Sequence, residues 1–120
     1  MKIIGIIGSR SRDTASDFFV IEKKFLEIYE DGDEIVSGGC PQGGDRFAEI
    51  LAKKHQVPIK IYYAQWKKHG ISAGFKRNGD IAWDAAVLIA CVSRDRKGGT
   101  EDTITKFLKL NKAEEKVYLV

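Results

Sequence analysis

The sequence has little of what marks a stapled, membrane-spanning or nucleic-acid-coating chain. Its 120 residues hold two cysteines, two prolines and one methionine. Two cysteines make no disulfide framework, and no Cys/His spacing suits a metal, so no metal and no cofactor are assigned. The longest apolar runs, such as AVLIACV at 86–92, fall far short of the ~20 residues of a membrane span. The start, MKIIGIIGSR, lacks the long apolar core and small-residue cleavage site of a signal peptide, so the expectation is a cytoplasmic protein. An excess of one charge sign is missing too. The 20 Lys+Arg against 17 Asp+Glu leave +3, too mild to mark a nucleic-acid surface, and no aromatics interleave along a basic stripe.

What remains is an ordinary globular composition, 43% hydrophobic and 31% charged, at the length of one domain (1–120). Five short apolar runs alternate with four segments of helical period. The runs are KIIGIIG (2–8), EIVSG (34–38), VPIKIYYA (57–64), AVLIACV (86–92) and KVYLV (116–120). The first and fourth are apolar almost throughout, as central strands covered on both faces should be. The third alternates and suits a strand nearer an edge. Helices are expected over about 15–30, capped by Thr14 or Ser16, over 44–55, over about 72–85, and from Gly99 or Thr100 through Leu110. Strands alternating with helical crossovers predict a parallel sheet. The fold class is therefore α/β, a Rossmann-like three-layer sandwich with strand order 3-2-1-4-5 and its switch point between strands 1 and 4.

Glycine is where the sequence is generous. Four of its 12 glycines fall within SGGCPQGGD (37–45), between a strand and a helix. Gly8 ends the first strand, Gly38, Gly39, Gly43 and Gly44 follow the second, and Gly98 and Gly99 follow the fourth. All three clusters precede helices, whose N-termini carry unpaired N–H donors and partial positive charge. Arg10, Arg12, Arg94 and Arg96 stand in the same loops, so the carboxyl edge of the sheet suits phosphate. Turn geometry alone is the competing account of each cluster. Asp45 and Asp102 are first-turn carboxylates, and their functional alternative is a hydrogen bond to a ribose hydroxyl. Ser9, Ser37 and Thr100 either donate to phosphate or cap.

WKKHGISAGFKRNGDIA (66–82), leading into the third helix, is odd for a helix because of Gly74 and Gly79. Small residues there predict close approach to a neighbouring backbone, bringing Arg77 and Asn78 toward the strand ends. Arg77 offers a planar fork for phosphate; Asn78 reads a base or fixes a loop. Trp66, in a loop beside the crevice, and Trp83 read as core or interface residues. Cys91 reads as core and Cys40 as a small residue tolerated in its loop.

The combination GSR, SGGCPQGGDRFAE, WKKHGISAGFKRN and GGTED resembles the YspA-like branch of the SLOG superfamily over nearly the whole chain. That resemblance implies a Rossmann-like domain binding a nucleotide or nucleotide-derived ligand, such as an ADP-ribose-like signal. Many such domains act as sensors in bacterial and phage conflict. The implied ligand-binding set is Gly8, Ser9, Arg10, Gly38, Gly39, Asp45, Arg77, Asn78, Gly99 and Thr100, to which the reading of the loops adds Ser37 and Gly98. Catalytic relatives carry PGGxGTxxE. Aligning Gly99-Thr100 on its Gly-Thr puts Thr103 in place of the catalytic Glu, which weakens a phosphoribohydrolase reading and leaves Asp45 and Asp102 as the acid candidates. Exposed aromatics such as Tyr62 and Tyr63, with family habit, point to a homo-oligomer. The expected partner is a small nucleotide-derived molecule, not a membrane or nucleic acid.

Overall fold

The computed structural model describes residues 1–110 and 112–120. Five strands, β1 (Ile3–Gly8), β2 (Glu34–Gly38), β3 (Ile59–Tyr62), β4 (Val87–Cys91) and β5 (Val117–Leu119), form one sheet of order β3-β2-β1-β4-β5. Every pairing is parallel. Helices α1 (Ala15–Ile28), α2 (Gly44–His55), α3 (Trp66–His69), α4 (Ala73–Asp84) and α5 (Gly99–Lys109) complete the fold. This is the Rossmann-like α/β arrangement expected from the alternation of runs.

The sheet is covered on both faces. Ile21 and Phe25 of α1 and Phe47 and Leu51 of α2 pack on one side with Ile4, Ile6, Ile35 and Ile89. Ile81 and Ala82 of α4 and Ile104 and Phe107 of α5 pack on the other with Ile7, Val36, Leu88 and Ala90. Continuous apolar runs bury both sets of alternating side chains, which is why β4 is buried at every position. Cys91 is buried as expected, and burial pushes its thiol up to about 11.

Several boundaries differ from the periodic pattern. The stretch 66–72 is no loop: it forms α3 and a 3-10 turn over Gly70–Ser72 before α4 begins. Gly70, at φ 59°, separates the pieces. The glycines of α4 do not serve close backbone approach. A Cβ on Gly74 would meet only the Trp66 ring at 3.4 Å, and one on Gly79 only Lys106 at 3.9 Å. Trp66 and Trp83 are not core but 59% and 71% exposed. Tyr62 is half-buried and donates to Asp84 Oδ2 at 2.6 Å; only Tyr63 of that pair is exposed. Thr14 caps α1 in a reciprocal capping box with Asp17, settling the choice between Thr14 and Ser16.

Asp33 ties the start of the sheet together. Its buried carboxylate accepts from Lys2 N (2.8 Å), Lys2 Nζ (2.6 Å) and Glu30 N (2.9 Å), holding β1 beside β2. Burial disfavours its charge, but these hydrogen bonds outweigh that and keep its pKa below the usual 3.8. The unfolded chain therefore binds the proton more readily, so this contribution is present above the ordinary value and fades as pH falls through the lowered one. Asp33→Asn should cost about 2 kcal/mol at pH 7 and markedly less near pH 3. Urea unfolding at both pH values measures the difference; an equal cost at both would refute the assignment.

Candidate functional site

At the carboxyl edge, β1 and β2 end in backbone that approaches α2 without side chains between. A Cβ on Gly44 would strike Ile7 and Gly8, and one on Gly8 would lie 3.0 Å from the Gly44 Cα. Gly43 adopts φ 73° and a Cβ there would collide with the Ser9 carbonyl. These glycines answer to packing. They seat the first turn of α2 on the end of β1, so that Asp45 projects into the crevice.

The crevice is a cleft of about 280 Å³ at the switch point between β1 and β4. The turn after β1 supplies Gly8, Ser9 and Arg10; α4 supplies Arg77 and Asn78; the start of α5 supplies Gly98, Gly99, Thr100 and Thr103. Cys40 and Asp45 close one side, Lys97 the other, and Ile7 and Ile81 form an apolar floor. Lys97, Ile7 and Ile81 were not singled out from sequence. The only hint of Lys97 was its place directly before Gly98-Gly99.

Ser37, Gly38 and Gly39, also expected to bind ligand, do not line this cleft. Ser37 is fully buried beneath it. A Cβ on Gly38 would come within 2.6 Å of both Arg77 Nη1 and Asp45 Oδ2, so this position is kept bare for them. Gly39 lies under the ring of Tyr63. Asp102 is turned elsewhere, accepting from Asn78 Nδ2 (3.1 Å) and Lys106 Nζ (2.6 Å).

Not every expected cation or helix start faces the cleft. Arg12 is bound to Asp17 and to the carbonyls of Val92 and Val120, and Arg96 to Glu101 by two bonds of 2.7 and 2.9 Å. Arg94 is exposed and lines nothing here. The start of α1 is closed by its capping box, whereas that of α2 has no side-chain cap beyond Asp13, which accepts from the N-cap Gly43 N at 2.7 Å. The start of α5 opens onto the cleft: Gly98, at φ 99°, is its N-cap and no side chain caps it. Its amides are thus donors open to an anion.

Asn78 fixes this geometry. Its Oδ1 accepts from Arg77 Nε at 3.0 Å, while its Nδ2 donates to Gly99 O (3.3 Å) and Asp102. It thereby ties the guanidinium to the α5 start, the loop-fixing role among its alternatives. Thr103 donates to Gly99 O at 3.0 Å and is buried, so it offers no carboxylate and no exposed hydroxyl.

Asp45 has an unusual proton balance. Ser37 Oγ lies 2.5 Å from Ile6 O and 3.0 Å from Asp45 Oδ1, yet a hydroxyl has one proton to give. A proton on Asp45 Oδ1 satisfies all three groups. Burial pushes the Asp45 pKa above its ordinary 3.8, against hydrogen bonds from Cys40 N, Ser37 and Gly38 N and the field of Arg77. In comparisons with protein-family models, curated proteins and solved structures, nothing matches this chain.

The folded state thus holds the Asp45 proton more tightly than the unfolded chain does. Its contribution is complete below the ordinary pKa and declines as pH rises through the raised one. In Asp45→Asn the amide can donate to Ser37 Oγ and its carbonyl accept from Cys40 N, so the variant should fold with stability within about 1 kcal/mol of the parent. The parent's stability relative to the variant should fall as pH rises from 4 upward. A difference that stays flat across a pH series of melting curves would refute the shared-proton arrangement.

Proposed function

We propose that this cleft binds a nucleotide or nucleotide-derived phosphorylated ligand, as a sensing or sequestering protein of the SLOG type. The observation that carries the reading is the convergence of the uncapped α5 start with Arg10, Arg77 and Lys97 around one hollow. Against these three cations stands, among the described residues, one acid, Asp45, whose pKa burial raises above its ordinary value. A phosphoryl group placed there would accept from the amides of the α5 turn and from guanidinium N–H groups together. Its sugar would lie toward Ser9 and Asp45, over Ile7 and Ile81.

A second reading is supported by the burial of Asp45, which raises its pKa above the ordinary carboxyl value. A carboxyl that keeps its proton can serve as a general acid to a departing base, as N-glycosidic cleavage requires. Asp102 does not compete for that role, since Asn78 and Lys106 hold it away. Capture is preferred because, among the described residues, Asp45 has no second carboxylate lining the cleft to orient water.

A nucleotide panel monitored by melting temperature, followed by chromatography of the nucleotides, separates the two. Ligand at 100 times its Kd adds about 2.7 kcal/mol of stability, and unchanged ligand indicates capture. Arg10→Ala and Lys97→Ala should each weaken binding about tenfold while leaving the unliganded melting point within roughly 0.5 kcal/mol of the parent, because among the described residues neither side chain makes a hydrogen bond or ion pair and both are exposed. Parental affinity in both variants would remove the phosphate from this cleft. Release of free base by the parent, abolished in Asp45→Asn, would establish the second reading instead.

A further inference from the structure

We infer that the surface built by the end of β3, α3 and the start of α4 binds single-stranded nucleic acid, with its lysines along the phosphate backbone and its exposed aromatic rings under the bases. This surface is separate from the first cleft and does not depend on what fills it. Residues 50–79 hold seven of the chain's 20 Lys+Arg and none of its 17 Asp+Glu. Lys54 and Lys60 of that stretch are spent on Glu22 and Asp84. Lys67, Lys68 and Lys76 are exposed, and among the described residues their ammonium groups make no hydrogen bond or ion pair. A hollow of about 420 Å³ opens beside them, lined by Lys68, His69, Lys76 and Arg77 with Asp80 as its one acid among the described residues.

The rings select unpaired bases. Sequence alone reads Trp66 as core or interface and finds no aromatics along a basic stripe. The fold instead leaves Tyr63, Trp66 and Phe75 exposed, at 63%, 59% and 58%, and in chain order they alternate with Lys67, Lys68 and Lys76. The Tyr63 ring rests on the backbone of Gly39, and the Trp66 ring lies against α4 at Gly74, 3.4 Å from where a Cβ would stand. Each ring is thus propped from behind by backbone while much of its surface meets solvent, as a stacking platform requires. Bases inside a duplex are already stacked on one another, so this combination of rings and cations suits single strands. A second copy docked here across a two-fold axis would set Lys67, Lys68 and Lys76 against the same lysines, which like charge opposes.

Fluorescence anisotropy with labelled oligothymidylate and oligouridylate, and a duplex of equal length beside them, tests the inference. Both single strands should bind more tightly than the duplex, and their affinity should fall about twentyfold between 50 and 200 mM NaCl, as three phosphate contacts imply. Tyr63→Ala and Trp66→Ala should each weaken binding about tenfold with the salt dependence unchanged, whereas Tyr63→Phe, which keeps the ring, should bind like the parent. Lys68→Ala and Lys76→Ala should each flatten the salt dependence. Trp83→Phe leaves Trp66 as the chain's one indole, and a bound strand should quench its emission. None of these residues lines the first cleft, so melting shifts induced there by nucleotides should persist in every variant. No binding of either single strand at 50 mM NaCl, or binding that ignores both the duplex and the loss of the rings, would overturn the inference. So would a dimer of the free protein that Trp66→Ala dissociates in sedimentation, which assigns the face to a second copy. Each of these outcomes leaves the first cleft as it stands.

Discussion

The site depends on a contact between two backbones. Gly44, opening α2, lies against Ile7 and Gly8 at the end of β1 so closely that neither glycine position has room for a side chain. Close-packed interiors transmit such a constraint, because moving α2 by the width of a methyl group moves everything carried on its first turn. Asp45 is the next residue. Its distance from Ser37, its bond from Cys40 N and its place opposite Arg77 are all set by how near α2 comes to β1. The turn of Ser9 and Arg10 is set by the same contact, since Gly43 gives way to the Ser9 carbonyl through its left-handed φ.

The second organising feature is a division of charge between structure and cleft. Three helices begin at this edge; Thr14 with Asp17 closes one, and Asp13 takes the Gly43 N–H at the start of another. Arg12 and Arg96 are likewise consumed by Asp17, two carbonyls and Glu101. The α5 amides with Arg10, Arg77 and Lys97 lie around one hollow, while Arg94 is exposed outside it. A net charge of +3 spread over the surface would say little about partners. The unspent donors, by contrast, are concentrated where a small ligand can reach several at once.

The strand order, the helix layers and the crevice were legible because each follows from a strong, repeated signal: apolar runs at every position for β1 and β4, and glycine clusters at three strand ends. The roles of individual glycines were not. Composition cannot distinguish Gly44, which answers to Gly8, from Gly39, which answers to a tyrosine 24 residues later, because the deciding partner is distant in sequence. The same holds for the arginines of these loops. Arg12 and Arg10 are two residues apart, yet one meets the chain's final residue and the other faces the cleft. Gly74 and Gly79 misled for the opposite reason. A glycine in a helix signals close approach only if something is there to approach, and at Gly79 the space is open but for the stem of Lys106. Lys97 passed unnoticed because a lysine in a basic loop resembles a solvated one until the helix behind it is seen to lack a cap.

The relation between Asp45 and Arg77 joins these threads. The two face each other across the bare Cα of Gly38, but the guanidinium bonds to Asn78 through Nε and not to the carboxyl. An ionised Asp45 would draw that fork inward and neutralise it, since a carboxylate is the partner its geometry fits best. Burial works against this outcome, and the single proton of Ser37, wanted by both Ile6 O and Asp45, works against it further. Among the described residues Arg77 is not ion-paired with Asp45, and the outer edge of its fork stays open to an anion. A proton on Asp45 and an anion in the cleft would favour one another, because each would remove the same competitor for the guanidinium.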